Sequence, residues 1–110
     1  MEIKETYSKL ANSGLDEEEI TRMIEIFSKQ GKIKKVILYG SRAMGTWRPN
    51  SDIDLTIQGE SLTLDKQFEI ENELDDLMMP YKIDISLLHH IKNQDLLDHI
   101  NEVGIVFFER

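Results

Sequence analysis

An apolar run, Val36-Ile37-Leu38-Tyr39, stops at Gly40, and about a dozen residues later comes Ser51-Asp52-Ile53-Asp54-Leu55, where acidic and apolar residues alternate. The first pattern suits a buried strand. The second suits a strand with one wet face, because successive side chains on a strand point to opposite sides. Asp52 and Asp54 therefore share one face, while Ile53, Leu55 and Ile57 share the other. The segment joining the two strands is too long for a tight hairpin. It contains Gly45, Pro49 and Asn50, and loops of that length that stay ordered are commonly functional.

The rest of the chain fits around this pair. Ile3, Tyr7 and Leu10 are spaced for a short amphipathic helix over 3–12, ended by Asn12, Ser13 and Gly14. Asp16 followed by Glu19 is a capping-box pattern and opens a helix over 16–30, with Ile20, Met23, Ile24 and Phe27 on one face and Gly31 as its stop. Strands are expected at 34–39, 53–58, 82–88 and 105–109. Leu64, Phe68, Ile70 or Glu71, Leu74 and Leu77 recur at helical spacing up to Pro80, and a last short helix fits 93–102 before Gly104. With a short helical turn after Gly40, this order predicts an α/β (α+β) domain, one small mixed sheet flanked by helices, over residues 1–110. Tyr39 is expected in the core, and Met78 and Met79 as core filler at a helix end or as an exposed contact for a partner helix.

At 110 residues the chain supports one hydrophobic core and has little surplus stability for a deep pocket, so a partner or a second copy could complete a site. The absence of cysteine removes disulfides and thiolate zinc sites and fits a reducing, cytoplasmic setting. The N-terminal MEIKETYSKL has no apolar signal region, and the apolar runs are far too short to span a membrane. A net charge of -8 argues against broad nucleic-acid binding, which rests on neutralising phosphates. The charge is also segregated. From Phe27 to Ser51 there are six basic residues (Lys29, Lys32, Lys34, Lys35, Arg42, Arg48) and no acidic one, so an anionic ligand is expected there. From Glu60 to Asp76 the acids dominate, as a solvated helix face or a docking surface for a basic partner.

Two carboxylates on one face, about 6 Å apart, repel by roughly 3 kcal/mol at an effective dielectric near 20, an upper figure that water and salt reduce. A divalent cation converts that repulsion into affinity. Asp84, in Lys82-Ile83-Asp84-Ile85-Ser86-Leu87, alternates in the same way, so if its strand lies beside the first acidic strand all three acids converge. Such an oxygen donor set suits Mg2+, or Mn2+, with the remaining ligands from substrate phosphates. In a two-ion arrangement one ion would hold the triphosphate and the other would activate the attacking oxygen. Gly40 lets the backbone approach a phosphate, and Ser41 adds a hydroxyl. Gly40 to Gly45 has P-loop spacing, but Thr46 and Trp47 stand where Lys and Ser/Thr are required, so that reading fails. His89, His90 and His99 are read as surface or helix-cap residues, and Trp47 and Arg48 as either ligand contacts or loop packing.

GSRAMG followed by SDIDL, with a later lone Asp in an apolar strand, resembles the nucleotidyltransferases of the DNA polymerase β superfamily. At this length the chain resembles the minimal nucleotidyltransferase (MNT) proteins of bacteria and archaea. The resemblance is specific over residues 36–57, extends to Asp84 by pattern, and covers the rest only by length and element order. It implies a palm-like fold, Mg2+ dependence, and transfer of a nucleotidyl group, commonly AMP from ATP, to a hydroxyl. Gly40 and Ser41 would bind the triphosphate, Asp52 and Asp54 both ions, and Asp84 the acceptor-side ion. Arg42 stands where the motif usually has arginine, for a phosphate contact or a structural ion pair. Met44 replaces a residue that is often basic. Such proteins are typically encoded beside a HEPN-domain protein and in several pairs act as antitoxin by adenylylating it. Inhibition of the partner by contact alone, or modification of a small molecule in the manner of aminoglycoside transferases, are the alternatives.

Overall fold

The computed structural model describes residues 3–110. Helix α1 spans Ile3–Lys9 and α2 spans Glu17–Lys29. The start of α2 is held reciprocally: Asp16 Oδ1 accepts from the Glu19 N–H at 2.7 Å, and Glu19 Oε1 accepts from the Asp16 N–H at 3.0 Å. Strand β1 (Ile33–Tyr39) leads into the four-residue helix α3 (Ser41–Met44), and β2 (Ile53–Gly59) follows the long connection. Then come α4 (Leu64–Asp75), β3 (Ile83–Leu87), a 3-10 turn at Leu88–His90, α5 (Gln94–Val103) and β4 (Ile105–Glu109).

The strands form one sheet in the order β3-β2-β1-β4. β1 pairs antiparallel with β2 and with β4, whereas β2 and β3 are parallel, with α4 as the crossover between them. The small mixed sheet flanked by helices is therefore as expected.

The alternation read in the sequence sorts the two sheet faces. Val36, Leu38, Ile53, Leu55, Ile57, Leu87 and Phe107 are buried with Ile20, Met23 and Phe27 of α2 and Ile70 and Leu74 of α4. Phe27 meets Phe107 edge-on at 5.9 Å. Each such side chain contributes about 1.5–3 kcal/mol when fully buried, so this face anchors the domain. Lys35, Ile37 and Tyr39 alternate with Val36 and Leu38 and so take the opposite face. There α5 lies, with Leu97 and Ile100 bordering a cleft together with Ile37 and Val106.

Two local readings change. Helix α4 ends at Asp75 rather than continuing to Met79, because Pro80 disfavours helical backbone at the residue before it and the last turn unwinds. Met78 then stands at a positive φ of 55° and is 86% exposed, so it is not core filler, whereas Met79 does pack against the core. Helix α4 is also rotated relative to the expected stripe. Gln67, Ile70 and Leu74 face inward, with Gln67 Nε2 donating to the Ile85 carbonyl at 3.0 Å, and this leaves Leu64 and Phe68 each 54% exposed.

Candidate active site

Register brings the acids together. Tyr39 lies opposite Asp54 on the antiparallel side, and Asp54 lies directly opposite Asp84 on the parallel side. Asp52 sits one residue before β2 begins. The neighbouring positions Ile53, Leu55 and Leu87 are buried on the far face, so the carboxylates are committed to the α5 face.

Gly40 closes the site from the β1 side. Its φ of 75° and ψ of -159° belong to a region that only glycine enters without strain. A Cβ there would lie 2.3 Å from Asp54 Oδ2, so the missing side chain is what allows the turn to rest against the carboxylate. Ser41 begins α3, where the first N–H groups have no acceptor within the helix. The Gly40 N–H itself is already engaged, donating to His99 Nε2 at 3.0 Å. His99 also meets the Tyr39 ring edge-on at 6.1 Å. Neither histidine nor tyrosine takes its expected place: His99 belongs to the site rather than to a surface or cap, and Tyr39 is half-buried on the acidic face. A lone histidine in a helix carries no sequence signal for this, since the contact depends on where α5 crosses the sheet.

Arg42 is a correction. It is 1% exposed, and its donors go to backbone carbonyls: Nε and Nη2 to Ser51 at 3.1 and 2.9 Å, and Nη1 to Ser13 at 2.9 Å. The guanidinium lies between the rings of Tyr81, at 4.5 Å, and Trp47, at 5.4 Å. This leaves it neither the phosphate contact nor the ion pair expected of it. It clamps the connection that ends at Asp52. Trp47 serves the same clamp, donating from Nε1 to the Asn12 carbonyl at 2.7 Å, and a Cβ at Gly14 would strike both Trp47 and Arg42. The long connection stays ordered because it is tied to the turn between α1 and α2.

The basic stretch separates in the same way. Lys29 and Lys32 lie before β1 and Lys34 and Lys35 in its first half, roughly 17 Å or more along the strand from Gly40, and Arg42 is enclosed. Of the six, Arg48 is the exposed one at the acidic end. A second cation at that end is Lys82, whose Nζ is 3.5 Å from Asp84 Oδ1.

Burial raises the pKa of the Asp54 carboxyl above the usual range, and the charges of Asp84 and then Asp52 raise it further; Lys82 and, when protonated, His99 pull the other way. A raised folded-state pKa means that folding favours the protonated form. Its stabilising contribution is complete below the unfolded pKa and is lost as pH rises through the folded one, so at neutral pH ionised Asp54 works against folding. Asp54→Asn is therefore expected to raise Tm at pH 7, reflecting up to about 1 kcal/mol for relief of like charges on facing strands. The gain should shrink as the solution is acidified and the wild-type carboxyl takes up its proton. Thermal scans of both proteins at pH 7 and at a series of lower pH values check this.

Carboxylate oxygens are the kind of donor that a hard divalent cation takes. Asp52 and Asp54 make no hydrogen bond or ion pair among the described residues, and their mutual repulsion is the cost that such an ion removes. Among the described residues no group of three or more histidine, aspartate or glutamate side chains is arranged so that it could hold a metal ion. Asp54 and Asp84 face each other across neighbouring strands, with Asp52 one residue before β2.

The family described as "Polymerase beta, Nucleotidyltransferase" matches residues 21–110. No curated protein sequence matches the chain. Among solved structures, a toxin-antitoxin with AMP-PNP is similar at a TM-score of 0.69 and 20% identity, covering 83% of this chain and 73% of that one. The complex of a tri-AMPylated Shewanella oneidensis HEPN toxin with MNT antitoxin gives 0.66 and 15%, covering 87% and 74%. The toxin-antitoxin MntA-HepT gives 0.65 and 16%, covering 86% and 74%. These likenesses establish the fold, and the family match covers the Gly40-Ser41 turn and all three acids: the chain belongs to the polymerase beta nucleotidyltransferase family.

Proposed function

We propose that this chain transfers AMP from ATP to a hydroxyl of a HEPN-domain partner, as the antitoxin of a toxin–antitoxin pair, with Mg2+ or Mn2+ as cofactor. The observation that carries the reading is the register that sets Asp54 opposite Asp84, with Gly40 resting against Asp54 Oδ2. The neighbours that hold AMP-PNP or a tri-AMPylated HEPN toxin support the choice of nucleotide and partner.

In this reading Asp52 and Asp54 would hold the cations, with Asp84 on the acceptor side. The bound ions would supply neutralisation of the triphosphate and of charge developing at the α-phosphorus. Ser41 and the turn it begins orient the phosphates. Asp84 would accept the proton of the attacking hydroxyl, and in-line attack at the α-phosphorus would expel pyrophosphate. Gly40 permits the approach and, through its contact with Asp54, couples phosphate position to carboxylate position.

Incubating a candidate HEPN protein with this chain, ATP and Mg2+ is expected to raise the HEPN protein's mass in whole AMP units. An unchanged mass in a complex that still forms would overturn the reading. That outcome would favour inhibition by contact, for which the specific observation is exposed Leu64 and Phe68 on the acidic helix α4, an apolar strip suited to a basic amphipathic partner.

A further inference from the structure

The contact between α5 and the Gly40 turn has no counterpart in the chemistry so far assigned. We propose that His99 is a positioning residue for nucleotide transfer, holding the Gly40-Ser41 turn in its phosphate-binding form; this rests on the adenylyltransferase reading above.

A backbone N–H can only donate, so at the 3.0 Å contact Nε2 of His99 is the acceptor and the ring proton sits on Nδ1. The bond fixes the orientation of the Tyr39-Gly40 peptide. That peptide needs an external hold, because glycine has more alternative conformations than any other residue and Gly40 occupies one in which no side chain restricts it. The turn also cannot move alone. Gly40 lies so close to Asp54 Oδ2 that its displacement would open or close the space beside the carboxylate. His99 thereby acts on both halves of the site, the turn directly and Asp54 through the turn. Its ring is in turn steadied by the edge-on contact with Tyr39, the residue paired with Asp54 in the sheet. The hold comes from a part of the chain 59 residues away, so the site is assembled only when α5 is docked.

Two substitutions separate positioning from bulk. His99→Phe keeps a ring against Tyr39 and removes the acceptor, whereas His99→Gln restores an acceptor oxygen at similar reach. Two measurements are made on each protein: hydrogen exchange of the Gly40 amide by NMR, and affinity for the α,β-methylene analogue of ATP with Mg2+ by calorimetry. In His99→Phe, Gly40 exchange is expected to accelerate and affinity to fall, each about tenfold, as for the loss of one hydrogen bond. The Val36 and Leu38 amides should keep their wild-type protection, and His99→Gln should recover most of both losses. Equal affinity in wild type and His99→Phe would overturn the proposal, as would failure of His99→Gln to recover either readout. A wild-type chain that takes up no analogue would instead overturn the adenylyltransferase reading. Gly40 exchange in the variants would then decide by itself whether His99 holds the turn.

Discussion

Under the proposed adenylyltransferase function, alanine in place of Asp54 or Asp52 is expected to stop AMP transfer to a HEPN-domain partner, a loss of more than about 100-fold. Removing only an outer partner of a metal ligand typically costs 10–100-fold, and these residues are assigned as the ligands themselves. The fold should survive. Neither carboxylate has a hydrogen bond or ion pair to lose among the described residues, and removing Asp54 relieves repulsion from Asp84 and Asp52. The measurement is the initial rate of transfer of α-labelled AMP, with circular dichroism to verify the fold. Asp84 is predicted to be less sensitive in Mg2+ binding than Asp54, since Lys82 already partners it at 3.5 Å. Wild-type rates in both alanine variants would remove these residues from the chemistry.

Arg42→Ala is expected to have the largest effect on stability of any single change at this end of the molecule, about 3–5 kcal/mol. It strands the Ser13 and Ser51 carbonyls, each worth about 1–3 kcal/mol when left unpaired, and opens a void between Tyr81 and Trp47. In a domain whose total stability is of order 5–15 kcal/mol, that is enough to populate the unfolded state. Arg42→Lys should recover only a small part, because one ammonium cannot span the positions reached by three guanidinium nitrogens. Urea denaturation of the three proteins measures this directly. If Arg42 instead served the nucleotide, its removal would raise KM for ATP and leave the denaturation midpoint unchanged.

Much of the site was legible because the relevant signal is local. Period-two alternation around Ile53 and Ile85 announced which face the acids would take, and a strand ending in glycine announced a close turn. The α2 start was equally legible, since a capping box needs only Asp16 and Glu19 three positions apart. Harder cases had two local solutions of similar quality. Helix α4 offers either Phe68 with Glu71 or Gln67 with Ile70 as its inward face, and the hydrogen bond from Gln67 to Ile85 belongs to the folded state alone. Arg42 is hard to place from sequence for a related reason: an arginine just after a strand-ending glycine looks the same whether it meets a ligand or two distant carbonyls.

By itself the sequence determined the elements, the commitment of Asp52, Asp54 and Asp84 to one face, and the family to which the chain belongs, because these depend on periodicities and short motifs. Tertiary structure decided that β3 would lie parallel beside β2 with Asp84 opposite Asp54, that Arg42 would be enclosed, and that His99 would reach Gly40. Those outcomes depend on contacts between residues far apart in the chain, whose partners are selected only when apolar burial has closed the sheet and docked α5 upon it.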